Sequence, residues 1–290
     1  MSVKERDPLT GHMITGHEWN GIVELNTRVP RAVWFFIIVT HVWSLIIWVL
    51  LPAWPMVTTY TKGLLGLDQR VEVQEDITRA NAARAEWVTR IADMPVADIL
   101  ADEAMMARVN DTAPTLFGDN CAVCHGAGAA GGPGFPDLTD NDWLWGGDPD
   151  TIMETLRVGI NSPHPETRIA EMMAFGRDGI LERKQVHTVT AYVRTLSGAG
   201  APADDHEEGA TLFADNCASC HGDDGTGMVE MGAPNLTDDI WIYGGDEEAV
   251  FQTVWGGRRG WMPNWDHRLS EADRKMLTVY LGELAGKATP

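Results

Sequence analysis

The first extended pattern along the chain is an unbroken apolar run. Residues 32–51, AVWFFIIVTHVWSLIIWVLL, hold no formal charge over twenty positions, enough at about 1.5 Å per residue to cross a hydrocarbon layer of roughly 30 Å. The pattern predicts one transmembrane helix. A long polar segment precedes it and "LPAWP" after it lacks the small-residue site of a cleaved export signal, so the reading is an uncleaved anchor. Trp34, Trp48 and Trp54 stand near its ends, where indoles suit the two interfaces. Lys4, Arg6, Arg28 and Arg31 lie before the run, against Lys62 and Arg70 just after it, a bias that places the N-terminus in the cytoplasm. His41, mid-membrane, is expected to face a protein partner rather than lipid.

Beyond the anchor the period changes. Val186, Val189, Val193 and Leu196 recur at helical spacing, and Leu277, Tyr280, Leu281 and Leu284 do the same near the C-terminus. Residues 68–109 are charged and alanine-rich, and predict helix. Stretches such as "GAGAAGGPGFP" cannot hold regular structure for long.

These elements belong to an internal repeat. "LFGDNCAVCHG" (116–126) matches "LFADNCASCHG" (212–222), "PDLTD" (136–140) matches "PNLTD" (234–238), "WGGD" (145–148) matches "YGGD" (243–246), and "AYVRTLSG" (191–198) matches "VYLGELAG" (279–286). The division this predicts is an N-terminal segment 1–31, an anchor 32–51, a connecting segment 52–107, a first copy 108–198, a linker 199–206 and a second copy 207–290. The fold class is all-α, one transmembrane helix followed by two tandem copies of one small helical domain. Each copy is rich in loop and has too little core of its own, so something bulky must fill its middle.

The four cysteines say what fills it. Cys121, Cys124, Cys217 and Cys220 form two C-x-x-C-H motifs with His125 and His221. Two cysteines at this spacing can each form a thioether with one vinyl group of a haem, and the adjacent histidine then falls under the iron. The cofactors expected are two covalently bound haem c groups, which makes the two copies tandem class I cytochrome c domains. A zinc site would need cysteine pairs closer than the 93 residues between Cys124 and Cys217, and a thioredoxin-like motif would need a βαβ setting.

The second axial ligand must come from a later loop. Met228 and Met231 follow His221 too closely, whereas Met262 in "GWMPNW" lies just before the last helical stripe. In the first copy "EMMAFG" offers Met172 and Met173; Met172 aligns with Met262, while Met173 stands where Pro263 stands. Iron ligands are therefore expected at His125, Met172, His221 and Met262. His/Met ligation fills both axial positions and suits reversible one-electron transfer. Arg168, Arg258 and Arg259 precede these methionines and are candidate partners for haem propionates. His164, His187, His206 and His267 read as surface residues.

Net charge is −20, and residues 102–290 hold 31 acidic against 13 basic side chains. Such a region repels nucleic acid and attracts basic proteins, a donor cytochrome among them.

The order of parts resembles the dihaem subunit of cbb3-type cytochrome c oxidase, subunit III or subunit P. "GHEWNGIVELNTRVPRAVWFF" followed by "LPAWP" is similar to that family's "W-D-G-I-x-E-L-N-N-P-L-P" segment, its anchor and its "Y-P-x-W-P" exit, and the resemblance covers essentially the whole chain. Asn20 stands for the family's aspartate, "NTRVP" for "NNPLP" and "MMAFG" for "MPAFG"; the last bears on which methionine binds iron. The resemblance implies a bacterial inner-membrane protein with periplasmic haem domains, passing electrons from a donor cytochrome c toward a monohaem subunit and the haem-copper catalytic subunit. It implies no oxygen-reducing site in this chain. The alternatives are a dihaem electron-transfer subunit of another respiratory enzyme, a dihaem peroxidase with an open sixth position, and a structural adaptor without cofactor.

Overall fold

A computed structural model describes residues 5–202 and 204–287; Lys4 of the charge bias and Ala203 of the linker lie outside them. The chain divides into two compact units, residues 1–83 and 84–290.

The first unit opens with a hairpin, β1 (Ile14–Trp19) and β2 (Ile22–Leu25), in antiparallel register with Trp19 opposite Ile22. Its turn is Asn20-Gly21, both at positive φ (52° and 86°), the backbone that a two-residue hairpin with the right twist needs. Among the described residues this small sheet is the one departure from an all-α architecture. Helix α1 (Arg31–Leu50) follows, with no buried residue and the length and apolarity to cross a membrane. Thr40 and Ser44 donate their hydroxyls back to carbonyls of their own helix, and His41 Nδ1 lies 2.7 Å from the Ile37 carbonyl. At the exit, the N–H groups of Leu64 and Leu65 reach the Val49 and Leu50 carbonyls at 2.9 and 3.0 Å, closing acceptors that lipid could not satisfy.

The connecting segment is helical but interrupted: α2 (Gln69–Asp93), α3 (Val96–Ala101) and α4 (Glu103–Asn120). Pro95 ends the first, because proline disfavours helical backbone at the residue before it, and Asp102 caps α4 through the N–H groups of Ala104 and Met105. Within the second unit, Ile91 of α2, Ile99 of α3 and Met105 and Val109 of α4 pack with Ala272, Met276 and Val279.

The remaining helices are α5 (Ala122–His125), α6 (Pro149–Val158), α7 (Arg183–Leu196), α8 (His206–Asn216), α9 (Ala218–His221), α10 (Glu247–Gly256) and α11 (Glu271–Lys287). Asp148 and Asp246, equivalent in the repeat, cap α6 and α10 through the N–H groups of Thr151 and Ala249, both at 3.0 Å.

Packing crosses the boundary between the copies. The stripe of α7, Val186, Val189 and Val193, buries against Leu212 and Phe213 of α8 and Val250, Phe251 and Val254 of α10. All five of those partners belong to the second copy. Conversely Leu277 and Leu281 of α11 bury against Phe117 of α4 and Ile152 and Leu156 of α6, in the first. Each buried aliphatic contributes on the order of 1.5–3 kcal/mol, so these exchanged faces are a large part of each copy's core. The last helix of each copy therefore packs on the other copy. Helix α11 is apolar on two sides, since its other face meets the α2–α4 cluster, and Lys275 Nζ donates to the Ala92 and Met94 carbonyls at 2.5 and 2.9 Å.

Candidate haem sites

Each C-x-x-C-H motif sits where one helix turns into another. Helix α4 runs into Cys121 and the single turn of α5, and α8 runs likewise into Cys217 and α9. Gly126 and Gly222 end these turns at φ 77° and 79°. The loop that follows folds back on the histidine: Gly131 N–H donates to the His125 carbonyl at 2.9 Å, and Gly227 N–H to that of His221 at 2.8 Å. Both glycines must be glycine, since an added Cβ would lie 2.5 and 2.6 Å from the Phe135 and Ala233 carbonyl oxygens.

The loops orient the imidazoles. His125 Nδ1 lies 3.1 Å from the Pro136 carbonyl, and His221 Nδ1 lies 3.0 Å from that of Pro234. A carbonyl can only accept, so Nδ1 carries the proton and Nε2 keeps its lone pair, the tautomer a metal ligand needs. Burial lowers both histidine pKa values, opposed by the same carbonyl bond, so both rings are neutral at pH 7. Burial also pushes the Cys121 and Cys217 thiols up to about 11, with the neighbouring cysteine adding to the shift. Cys124 is exposed and Cys220 half-buried, and none of the four forms a disulfide. A neutral, aimed imidazole beside two free thiols at thioether spacing fits a covalently held haem.

The methionines are placed by the exchange. Met172, of the first copy, packs on the cluster that includes Cys217 and Leu236 of the second. Met262, of the second, packs on the same buried cluster as Cys121, Ala122 and Trp143 of the first. Backbone bonds hold both arrangements: Met172 and Arg258 bond reciprocally at 2.8 and 3.0 Å, and Met262 and Ile160 at 2.9 Å each way. Gly159 and Gly257, one residue earlier on each receiving strand, leave 2.5 Å between a virtual Cβ and the carbonyl of the arriving methionine. Met173 is 56 % exposed, and Met228 and Met231 are exposed as well.

The arginines separate. Arg168 lies over the Trp145 ring at 4.9 Å and donates to Thr155 Oγ1 at 3.0 Å; Arg258 lies over the Tyr243 ring at 4.2 Å and donates to Thr253 Oγ1 at 3.0 Å. These are matched settings in the two copies. In the first copy Ile160 occupies the position of Arg258, and the inserted loop 160–167 returns Arg168 to supply the guanidinium instead. Arg259 is exposed.

Two histidines read as surface residues are half-buried. His164 Nε2 faces Asp266 at 3.6 Å, linking the inserted loop to the second copy, and His206 packs on the Tyr192 ring at 5.1 Å. Sequence reading also passed over an acidic group. Asp142 is pushed up to about 6 by burial and then by the charges of Asp238 and Asp140. Its members sit in or just after the matched "LTD" loops, but their convergence from two copies had no local signal.

Two neutral, oriented histidines on C-x-x-C motifs, each in a helical shell with an inward methionine loop, define a dihaem cytochrome of the class I c type. Residues 111–197 match the family described as cytochrome c, 204–281 the family described as cytochrome c oxidase, cbb3-type, subunit III, and 11–58 the N-terminal domain of cytochrome oxidase-cbb3, FixP. The chain is 46 % identical over 285 residues to the cbb3-type cytochrome c oxidase subunit FixP of Bradyrhizobium sp. (strain ORS 278), covering 97 % of this chain and 98 % of that protein. It is 44 % identical over 288 residues to the cbb3-type cytochrome c oxidase subunit CcoP of Cereibacter sphaeroides, covering 99 % of each. The chain belongs to the cbb3-type cytochrome c oxidase subunit III family and carries two covalent haem c groups.

Proposed function

We propose that this chain relays electrons singly from a basic donor cytochrome c, through its two haem sites, toward the monohaem subunit and then the haem-copper catalytic subunit of a cbb3-type oxidase. The observation that carries the reading is the duplication of a closed site, an aimed histidine with a methionine loop packed on the same cluster. Cys121 and Cys124 attach one haem and Cys217 and Cys220 the other. Met262 completes the site of His125, and Met172 completes that of His221.

Bound haem c supplies a reversible one-electron iron couple. The protein does the rest. Pro136 and Pro234 hold each histidine by its Nδ1 proton, which fixes ring orientation and strengthens Nε2 as a donor. Met262 and Met172, as thioether ligands, would favour the reduced state and take the position that a small molecule would need, so oxygen chemistry is assigned to the catalytic subunit. Apolar walls keep water out, and a charge change there moves few surrounding dipoles.

In this reading α1 anchors the chain once in the bacterial inner membrane, with the N-terminus cytoplasmic and residues 84–290 periplasmic. Purification of the tagged chain in mild detergent tests it. Co-recovery of a membrane subunit containing b-type haem and copper is expected; recovery with a dehydrogenase, or alone, overturns it. Rapid carbon monoxide binding to both reduced haems would favour a peroxidase and count against the methionine assignments.

A further inference from the structure

Asn161 stands in the inserted loop of the first copy, and its half-buried side chain bonds to two other loops at once. Its Nδ2 donates to the Ala170 carbonyl and to the Gly260 carbonyl, both at 2.7 Å, and its Oδ1 accepts from the Ala170 N–H at 3.2 Å. A side-chain amide nitrogen has two N–H groups, so both donors are used. These partners also fix the amide's orientation, since the flipped form would set Oδ1 against two carbonyls.

The two acceptors are equivalent in the repeat. Ala170 lies two residues before Met172, and Gly260 lies two residues before Met262. One amide from one copy therefore holds the corresponding carbonyl of each methionine loop. Its own position is set by the backbone: Asn161 N–H donates to the Arg168 carbonyl at 2.8 Å, and Ile160 beside it exchanges two bonds with Met262 at 2.9 Å each. Buried Ser162 closes the insert, its Oγ donating to the Val158 carbonyl at 2.6 Å and its N–H to Thr167 Oγ1 at 2.9 Å. Asn161 sits at φ 49°, in the left-handed region that asparagine and glycine enter more readily than other residues. The second copy runs directly from Arg258 to Met262 and carries no counterpart of the insert.

We infer that Asn161 is a positioning residue for both haem irons: its amide clasps the loops of Met172 and Met262 together, so one side chain sets how firmly each thioether is held. The inference rests on the reading of Met172 and Met262 as axial ligands. A ligand loop opens by breaking its bonds to its surroundings, and the Asn161 bonds act on each loop two residues ahead of its methionine. Removing the amide frees one carbonyl in each loop. The net loss of one hydrogen bond shifts an opening equilibrium by on the order of tenfold.

Two variants of the intact membrane protein test this. Asn161→Gly removes the amide and keeps a residue at ease at positive φ. Asn161→Asp keeps an acceptor for the Ala170 N–H and removes both donors. Each is combined with Met172→Ala or Met262→Ala, which opens one haem and leaves the other's thioether to report. Carbon monoxide should then bind the reduced protein in a fast and a slow phase, the slow one limited by release of the remaining methionine. Either Asn161 variant should quicken that slow phase about tenfold in both backgrounds, and amide hydrogen exchange over 168–174 and 258–264 should rise together. Acceleration in one background only, or in neither, overturns the shared role of Asn161. Absence of a slow phase in backgrounds that still carry Asn161 defeats the methionine-ligand reading itself.

Discussion

Met172 and Arg258 exchange two backbone hydrogen bonds, Met172 N–H to the Arg258 carbonyl at 2.8 Å and Arg258 N–H to the Met172 carbonyl at 3.0 Å. The residues come from different copies of the repeat, and Met262 with Ile160 forms the counterpart. Each methionine loop is therefore registered on the other copy's receiving strand.

The crossing predicts which haem each methionine serves. In a chain reduced to the first motif by Cys217→Ser and Cys220→Ser, Met262→Ala should abolish the methionine–iron absorption of the ferric form. Met172→Ala should leave it in place. The reverse pattern would show that each copy closes its own site.

The receiving glycine should tolerate no side chain. Gly257 sits at φ 70° and ψ 174°, a region open essentially to glycine alone, where another residue costs of order 1–3 kcal/mol. The overlap of a Cβ with the Met172 carbonyl adds to this. Gly257→Ala should lower the denaturation midpoint with little change in the denaturant slope and weaken ligation at the second haem. A parent-like midpoint would mean the strand moves freely.

Asp142 gives a pH dependence of known sign. Its folded pKa of about 6 exceeds the ordinary value of 3.8, so the folded state holds a proton that the unfolded chain has released. Stability from this group is highest below about pH 4, falls as pH rises to about 6, and is flat above. For a half-exposed carboxylate screened by solvent the loss is about 1 kcal/mol. Asp142→Asn should remove it, raising the urea midpoint at pH 7.5 while leaving that at pH 4 near the parent's. Equal gains at both would assign the effect to packing.

The acidic haem region, 31 acidic against 13 basic residues over 102–290, should steer a basic donor. Stopped-flow association with a basic cytochrome c should slow as ionic strength rises from about 0.01 to 0.15 M, over which the Debye length falls from roughly 30 to 8 Å. A rate flat across that range would place docking on an apolar surface.

Much of this was legible in the chain. The C-x-x-C-H motif is local, five residues long, and the valines of α7 report a buried face through their period alone. The hairpin also had a signal, Asn20-Gly21 between short apolar stretches, which yields a two-residue turn because both residues tolerate positive φ. The half-burial of His164 and His206 had none, since each depends on a partner distant in sequence.

Local chemistry was thus legible in the sequence: an anchor from its uninterrupted apolar length, haem attachment from cysteine spacing, and the expected ligand set from the residue types available. The tertiary structure alone decided the pairing. Helices α7 and α11 carry similar stripes and the two motifs offer similar receiving surfaces, so a repeat by itself is degenerate as to which closes which. That degeneracy is broken where the backbone after Arg168 and after Arg258 crosses to the opposite copy, against glycines that leave room for an arriving carbonyl.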